Sequence, residues 1–130
     1  MADRDFLKTN FGIEIELTGI TREKAARVVA DHLGGSIQRQ NDYYDSYKVT
    51  APDGRAWKIM YDGSLRCQRK VNGQKVAAGR EYSVELVSPI LTYEEDIETL
   101  QEIVRKIRKA GGFSNSTAGI HIHLDGADHT

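Results

Sequence analysis

The sequence predicts an α+β fold: a mainly antiparallel sheet with two helices on one face and a polar, concave face left for chemistry. Three observations carry this prediction. The stretches FGIEIEL at 11–17 and GIHIHLD at 119–125 alternate strictly between apolar and ionisable residues, the period of a strand. Residues 21–33 and 92–110 instead repeat apolar residues at helical spacing. Between them, Pro-Asp-Gly, Asp-Gly-Ser and Asn-Gly cut the chain into extended pieces suited to hairpins. At 130 residues one domain spanning 1–130 is expected, with length for a single core.

In the first strand, Ile13, Ile15 and Leu17 share one face and Glu14 and Glu16 the other. The two acids lie about 6–7 Å apart along the strand, so burial opposes their ionisation unless a cation compensates. Thr21 then caps a helix whose Ala25, Ala26, Val28, Val29 and Leu33 form a buried stripe, ended by Gly34 and Gly35. His32 sits in its last turn, where the dipole favours a structural role. From Ser36 to Tyr61 the chain reads as strands, with Tyr43, Tyr44, Tyr47 and Val49 before a turn at Ala51–Gly54 and Trp57, Ile59 and Tyr61 after it.

The turn Asp62-Gly63-Ser64-Leu65 brings a carboxylate and a hydroxyl to a strand end. Arg55, Lys58, Arg66, Arg69, Lys70, Lys75 and Arg80 form a basic block in which Asp62 is the only acid. It reads either as an exposed hairpin reversing at Asn72-Gly73 or as a clamp for nucleotide phosphates. Residues 81–89 read as a strand closed by Pro89, with Tyr82, Val84 and Leu86 toward the core and Glu81, Ser83, Glu85 and Val87 opposite. Thr92 and Glu95 form a capping box for a helix that buries Ile97, Leu100, Ile103, Val104 and Ile107 and ends in Lys106, Arg108 and Lys109. Asn115, Ser116 and Thr117 lead into the last strand, where His121 and His123 share a face.

Composition narrows the function classes. The apolar fraction of 39% and charged fraction of 28% are those of a globular protein. No run approaches the length of a membrane span, and the first residues have no apolar signal core, so a cytoplasmic location is expected. A net charge of −1 argues against nucleic acid and anionic membranes as partners. The single Cys67 forms no internal disulfide. Acids on one strand and imidazoles on another suggest a shared metal centre, against the alternative of a solvated sheet face.

Four motifs, FGIEIEL at 11–17, WKIMYDGSL at 57–65, VELVSPIL at 84–91 and AGIHIHLD at 118–125, resemble the amidoligase family, a branch of the glutamine synthetase-like carboxylate-amine ligases. The resemblance implies part of a glutamine synthetase-like catalytic fold and ATP-dependent amide formation through an acyl phosphate. It implies ATP and Mg2+ or Mn2+ as cofactors, with Glu14, Glu16, Glu85, His121 and His123 as metal ligands. By the same resemblance Asp62, Ser64 and Arg66 shape the reacting cleft, and Lys58, Arg66 and Arg80 meet phosphate. The partners it implies are an amino-bearing and a carboxylate-bearing small molecule or peptide.

Members resembling this chain continue past the histidine strand, so the sequence is expected to be the N-terminal portion of the catalytic domain. An open sheet edge then favours homo-oligomers. Two other classes follow from the same residues: a non-catalytic module acting through oligomerisation, and a metal-dependent hydrolase or oxygenase built on His121, His123 and a carboxylate.

Overall fold

The structure, a computed structural model, describes residues 8–124. Its first strand, β1 (Asn10–Leu17), buries Ile13, Ile15 and Leu17 and leaves Glu14 and Glu16 half-buried on the opposite side, as the alternation predicts. Helix α1 (Arg22–Leu33) begins where the Thr21 hydroxyl accepts from the Lys24 amide at 3.2 Å. It ends at Gly34, whose φ of 68° is a conformation only glycine adopts freely. Strands β2 (Ser36–Arg39), β3 (Tyr47–Thr50) and β4 (Ala56–Met60) follow, then a separate hairpin of β5 (Gln68–Val71) and β6 (Gln74–Ala77). Asn72 and Gly73, with φ of 51° and 80°, make the primed turn that matches strand twist. The chain closes with β7 (Val84–Val87), β8 (Leu91–Thr92), α2 (Tyr93–Lys109) and β9 (Ile120–Leu124).

Seven strands form the main sheet, and every pairing in it is antiparallel. The order runs β2-β3-β4-β7-β1; β8 continues β7 along one edge of β1, and β9 takes the other edge. Directly opposed residues share a face, so one cross-strand row reads Gln38, Lys48, Lys58, Val87, Glu14, His121. The next row is Met60, Glu85, Glu16. The other face supplies Val49, Trp57, Ile59, Val84 and Leu86, which pack against Ala25, Ala26 and Val29 of α1 and Leu100, Ile103 and Ile107 of α2. This is the predicted α+β fold, with two helices covering the apolar face.

Two local expectations require correction. The strand expected over 81–89 is shorter: Arg80–Tyr82 is a 3-10 turn and pairing starts at Val84. Arg22 is the cause. The residue is 3% exposed, and its guanidinium donates to the carbonyls of Arg80 at 2.8 Å and Ser83 at 2.9 Å, which bends the chain inward ahead of the strand. The capping box at Thr92 also differs. The Thr92 hydroxyl makes no cap bond, and the Thr92 amide donates to Asp96 rather than Glu95, at 2.8 Å. Asp96 is drawn into that position by a two-pronged pairing with Arg55 at 2.9 and 3.0 Å, a partner far away in sequence.

His32 has the structural role expected of it: its Nδ1 lies 2.9 Å from Lys106 Nζ, joining the two helices. The hairpin of β5 and β6 is tethered by Thr18. The Thr18 hydroxyl accepts from the Gln68 amide and lies 2.8 Å from the Tyr82 carbonyl, to which it donates. Lys70 and Lys75 place their ammonium groups 5.2 and 5.0 Å from the centre of the Phe113 ring.

At the other edge β9 is exposed along its whole length, and Ile120, Ile122 and Leu124 are each about 60% open. Beside them, Ile122 and Leu124 line an apolar groove with Phe11, Tyr93 and Ile97. No described helix is long and apolar enough to cross a membrane.

Candidate metal centre

The acidic residues come together because three strands deliver them in register. Glu16 on β1 stands directly opposite Glu85 on β7, and Glu85 stands opposite Met60 on β4. Two residues past Met60 the chain turns, which carries Asp62 back over the same face. Carboxylate oxygens of Glu16, Asp62 and Glu85 lie within 4.8 Å of one another. The Asp62 turn is held from two sides. Asp62 Oδ1 accepts from the Ser64 amide at 2.9 Å and its hydroxyl at 2.8 Å. The Ser83 hydroxyl accepts from the Asp62 amide and donates to the Asp62 carbonyl, both at 2.8 Å.

The imidazoles sit on the same face. Glu14 is opposite His121, and His123 is opposite Gly12. Because Gly12 has no side chain, His123 leans diagonally, and its Nε2 reaches 3.4 Å from Glu14 Oε2. Gly119, just ahead of β9, lies beside them: a methyl group placed there would make ordinary contacts with Glu16 Oε1 and His121 Nε2 at 3.5 and 3.6 Å. The glutamates and histidines therefore look across one shared surface.

Electrostatics marks the acids as mutually opposed. A hydrogen bond to Asp62, reinforced by burial, raises the Glu16 pKa, while the same bond lowers that of Asp62. Burial foremost, then repulsion from Glu14, Asp62 and Glu16, pushes Glu85 up to about 7. Elsewhere the protein pairs its acids: Asp45 takes Arg22 and Arg39, and Asp53 and Asp96 take Arg55. Among the described residues no lysine or arginine forms an ion pair with Glu16, Asp62 or Glu85. Three converging hard oxygen donors with uncompensated charge fit a divalent cation, and nearby imidazole nitrogen widens the choice from magnesium to manganese.

The remaining sequence-predicted residues divide. Lys58 is on the polar face, one strand beyond Val87 in the row that contains Glu14. Ser64 acts on Asp62. Arg66 braces the approach to β9 through its backbone, its amide donating to the Thr117 hydroxyl at 2.9 Å and its carbonyl accepting from Asn115 at 2.8 Å. The Arg80 guanidinium lies over the Tyr61 ring, 4.4 Å from its centre. Asp125, the last residue of the histidine motif, lies outside the described residues. Asp62 is the acid whose place in the carboxylate cluster sequence reasoning missed. Its one signal was parity, since Lys58, Met60 and Asp62 alternate onto the face that receives Glu85.

Fold and site together define an α+β protein that gathers acids and imidazoles on the open face of an antiparallel sheet. The chain belongs to the amidoligase family: the family model described as "Putative amidoligase enzyme" matches residues 7–130. No curated protein and no solved structure matches the chain.

Proposed function

We propose that this chain carries the metal- and nucleotide-facing part of an ATP-dependent carboxylate-amine ligase. Family membership supports a ligase, and the convergence of Glu16, Asp62 and Glu85 is the observation that carries the finer reading. Forming an amide from a carboxylate through an acyl phosphate takes two displacements. A carboxylate oxygen attacks the terminal phosphorus of ATP and ADP departs; an amine then attacks the carbonyl carbon and phosphate departs, while the amine loses a proton. The first displacement joins two anions. A divalent ion, when bound, neutralises and aligns the phosphate oxygens.

The chain's own residues supply the rest of the arrangement. Glu16, Asp62 and Glu85 hold the ion, Ser64 and Ser83 fix the Asp62 turn, and Glu14 with His121 and His123 extends the donor set across β1 and β9. The substrates are an amino-bearing and a carboxylate-bearing small molecule or peptide. Calorimetric titration of Mn2+ with ATP tests the reading. Glu14→Ala and Glu16→Ala are expected to weaken nucleotide binding at least roughly tenfold, the worth of one charge-assisted contact. Unchanged affinity in both variants contradicts the assignment.

A second reading rests on β9. The sequence IHIHL is nearly the same read from either end about Ile122, so antiparallel pairing with β9 of another copy sets imidazole against imidazole on one face and apolar residue against apolar residue on the other. The partner in this reading is a second copy of the chain, docked through an exposed strand edge. Light scattering is expected to give a dimer that Ile122→Lys dissociates; a monomer at every concentration contradicts it.

A further inference from the structure

Just ahead of β9 the edge of β1 opens into a cavity. The Glu16 amide donates to the Gly119 carbonyl at 2.9 Å, and Thr18 exchanges both backbone bonds with Phe113 at 2.8 and 2.9 Å. Between these two anchors β1 has one residue, Leu17, and the facing chain has five, 114–118, so the facing segment must bow away from the sheet. Asn115 holds the bow in shape. Its side-chain amide donates to the Arg66 carbonyl at 2.8 Å and to Gln68 Oε1 at 3.0 Å, and its oxygen accepts from the Thr117 amide at 2.9 Å. The space left is about 350 Å³, room for about ten non-hydrogen groups at the roughly 30 Å³ of a water molecule.

Leu17, Val104, Ala118 and Ile120 give this cavity an apolar wall, and two charged residues complete it, Glu16 from the polar face of the sheet and Arg108 from the helix side. Val104 and Arg108 are one helical turn apart and present apolar surface and charge to the same space. Lys106, in the same last turn, meets His32. Among the described residues the Arg108 guanidinium has no hydrogen bond, ion pair or ring contact.

The geometry points to a second small-molecule site here, adjoining the carboxylate cluster at Glu16, for a monocarboxylate with an apolar body of about six carbons. The ligand's carboxylate meets Arg108, whose planar fork suits paired hydrogen bonds to two oxygens, and its chain lies along Leu17, Val104 and Ile120. Glu16 sets the selectivity. A second carboxylate at the far end of the ligand would approach Glu16 and the acids behind it, so dicarboxylates are disfavoured. The site is independent of the ligase reading, since it uses neither ion nor nucleotide.

Amide chemical-shift titrations of the full chain with hexanoate, hexan-1-ol and adipate test this. Hexanoate is expected to shift the amides of residues 104–108 and 114–120, with a dissociation constant in the millimolar range open to so small a ligand. Hexan-1-ol, which lacks the charge, and adipate, which carries a second, should each bind roughly three- to tenfold more weakly. Arg108→Met should lower hexanoate to the level of hexan-1-ol without changing the alcohol, and Arg108→Lys should restore part of the preference. Lys109→Met, a control for net charge, should leave all three unchanged. Ala118→Leu, which narrows the cavity, should weaken hexanoate and hexan-1-ol alike. Equal affinity for hexanoate and hexan-1-ol in the wild type overturns the site, as does an Arg108→Met variant that keeps the preference. The absence of any shift, or shifts confined to the apolar groove of Phe11, Tyr93 and Ile97, overturns it as well. Adipate bound as tightly as hexanoate overturns the selectivity.

Discussion

Replacing Glu85 by Gln is predicted to stabilise the protein while abolishing its response to divalent ions. Burial and the neighbouring acids raise Glu85 from its ordinary 4.5 to about 7. A carboxyl whose folded-state pKa lies above its unfolded value binds protons better in the native state. Its contribution is therefore fully present below about pH 4.5 and is lost as pH rises through about 7. That rise sets a ceiling of about 3 kcal/mol, and solvent access to the half-buried side chain reduces the effect to about 1–2 kcal/mol.

Glutamine keeps the shape without the charge. At pH 8 Glu85→Gln should thus be about 1–2 kcal/mol more stable than the wild type, a rise in Tm of roughly 3–10 °C for a chain of this size. At pH 4.5 the two should coincide. Urea unfolding followed by fluorescence of Trp57, the single, buried tryptophan, reads both conditions. Adding Mn2+ at pH 8 should stabilise the wild type and not the variant. A stability difference that ignores pH, or equal stabilisation of both proteins by Mn2+, refutes the reasoning.

Asp96→Ala should cost about 1–2 kcal/mol, because it leaves the Thr92 amide without its acceptor and removes the two-pronged partner of Arg55, which keeps only Asp53 and the Ile90 carbonyl. Arg55 holds the Asp96 carboxyl below its ordinary value, so this penalty should be present at neutral pH and shrink as pH falls through the acid range, in urea titrations at pH 7 and pH 3. Thr18→Val should cost about 1–2 kcal/mol by leaving the half-buried Gln68 amide and Tyr82 carbonyl short of a partner; hydrogen exchange should quicken at Gln68. Binding of Mn2+ at pH 6 should release protons, chiefly from Glu85, and Glu85→Gln should release fewer; calorimetry in buffers of different ionisation enthalpy measures the number.

What the sequence discloses is what depends on near neighbours. Alternation in 11–17 and 119–125 reveals both functional strands and sorts Glu14, Glu16, His121 and His123 onto one face, because side-chain parity is a local property. Asn72-Gly73 and Pro52-Asp53-Gly54 reveal their turns for the same reason. The features it hides are contacts between distant residues. Tyr82 and Glu81 have the pattern of a strand, yet Arg22, about 60 residues earlier, claims the carbonyls around them. Glu95 has the spacing of a capping residue, but Arg55 recruits Asp96 instead. Asp62 joins Glu16 and Glu85 only because β7 lies between β4 and β1, a strand order that no local pattern encodes.

The central claim is that Glu16, Asp62 and Glu85 act together as the seat of a divalent ion. Electron paramagnetic resonance of Mn2+ titrated into the protein at pH 8 tests it most directly, since bound and free ion give different signals. The account predicts a bound ion in the wild type and loss of most binding in each of Glu16→Gln, Asp62→Asn and Glu85→Gln. Binding that survives in the triple variant contradicts it.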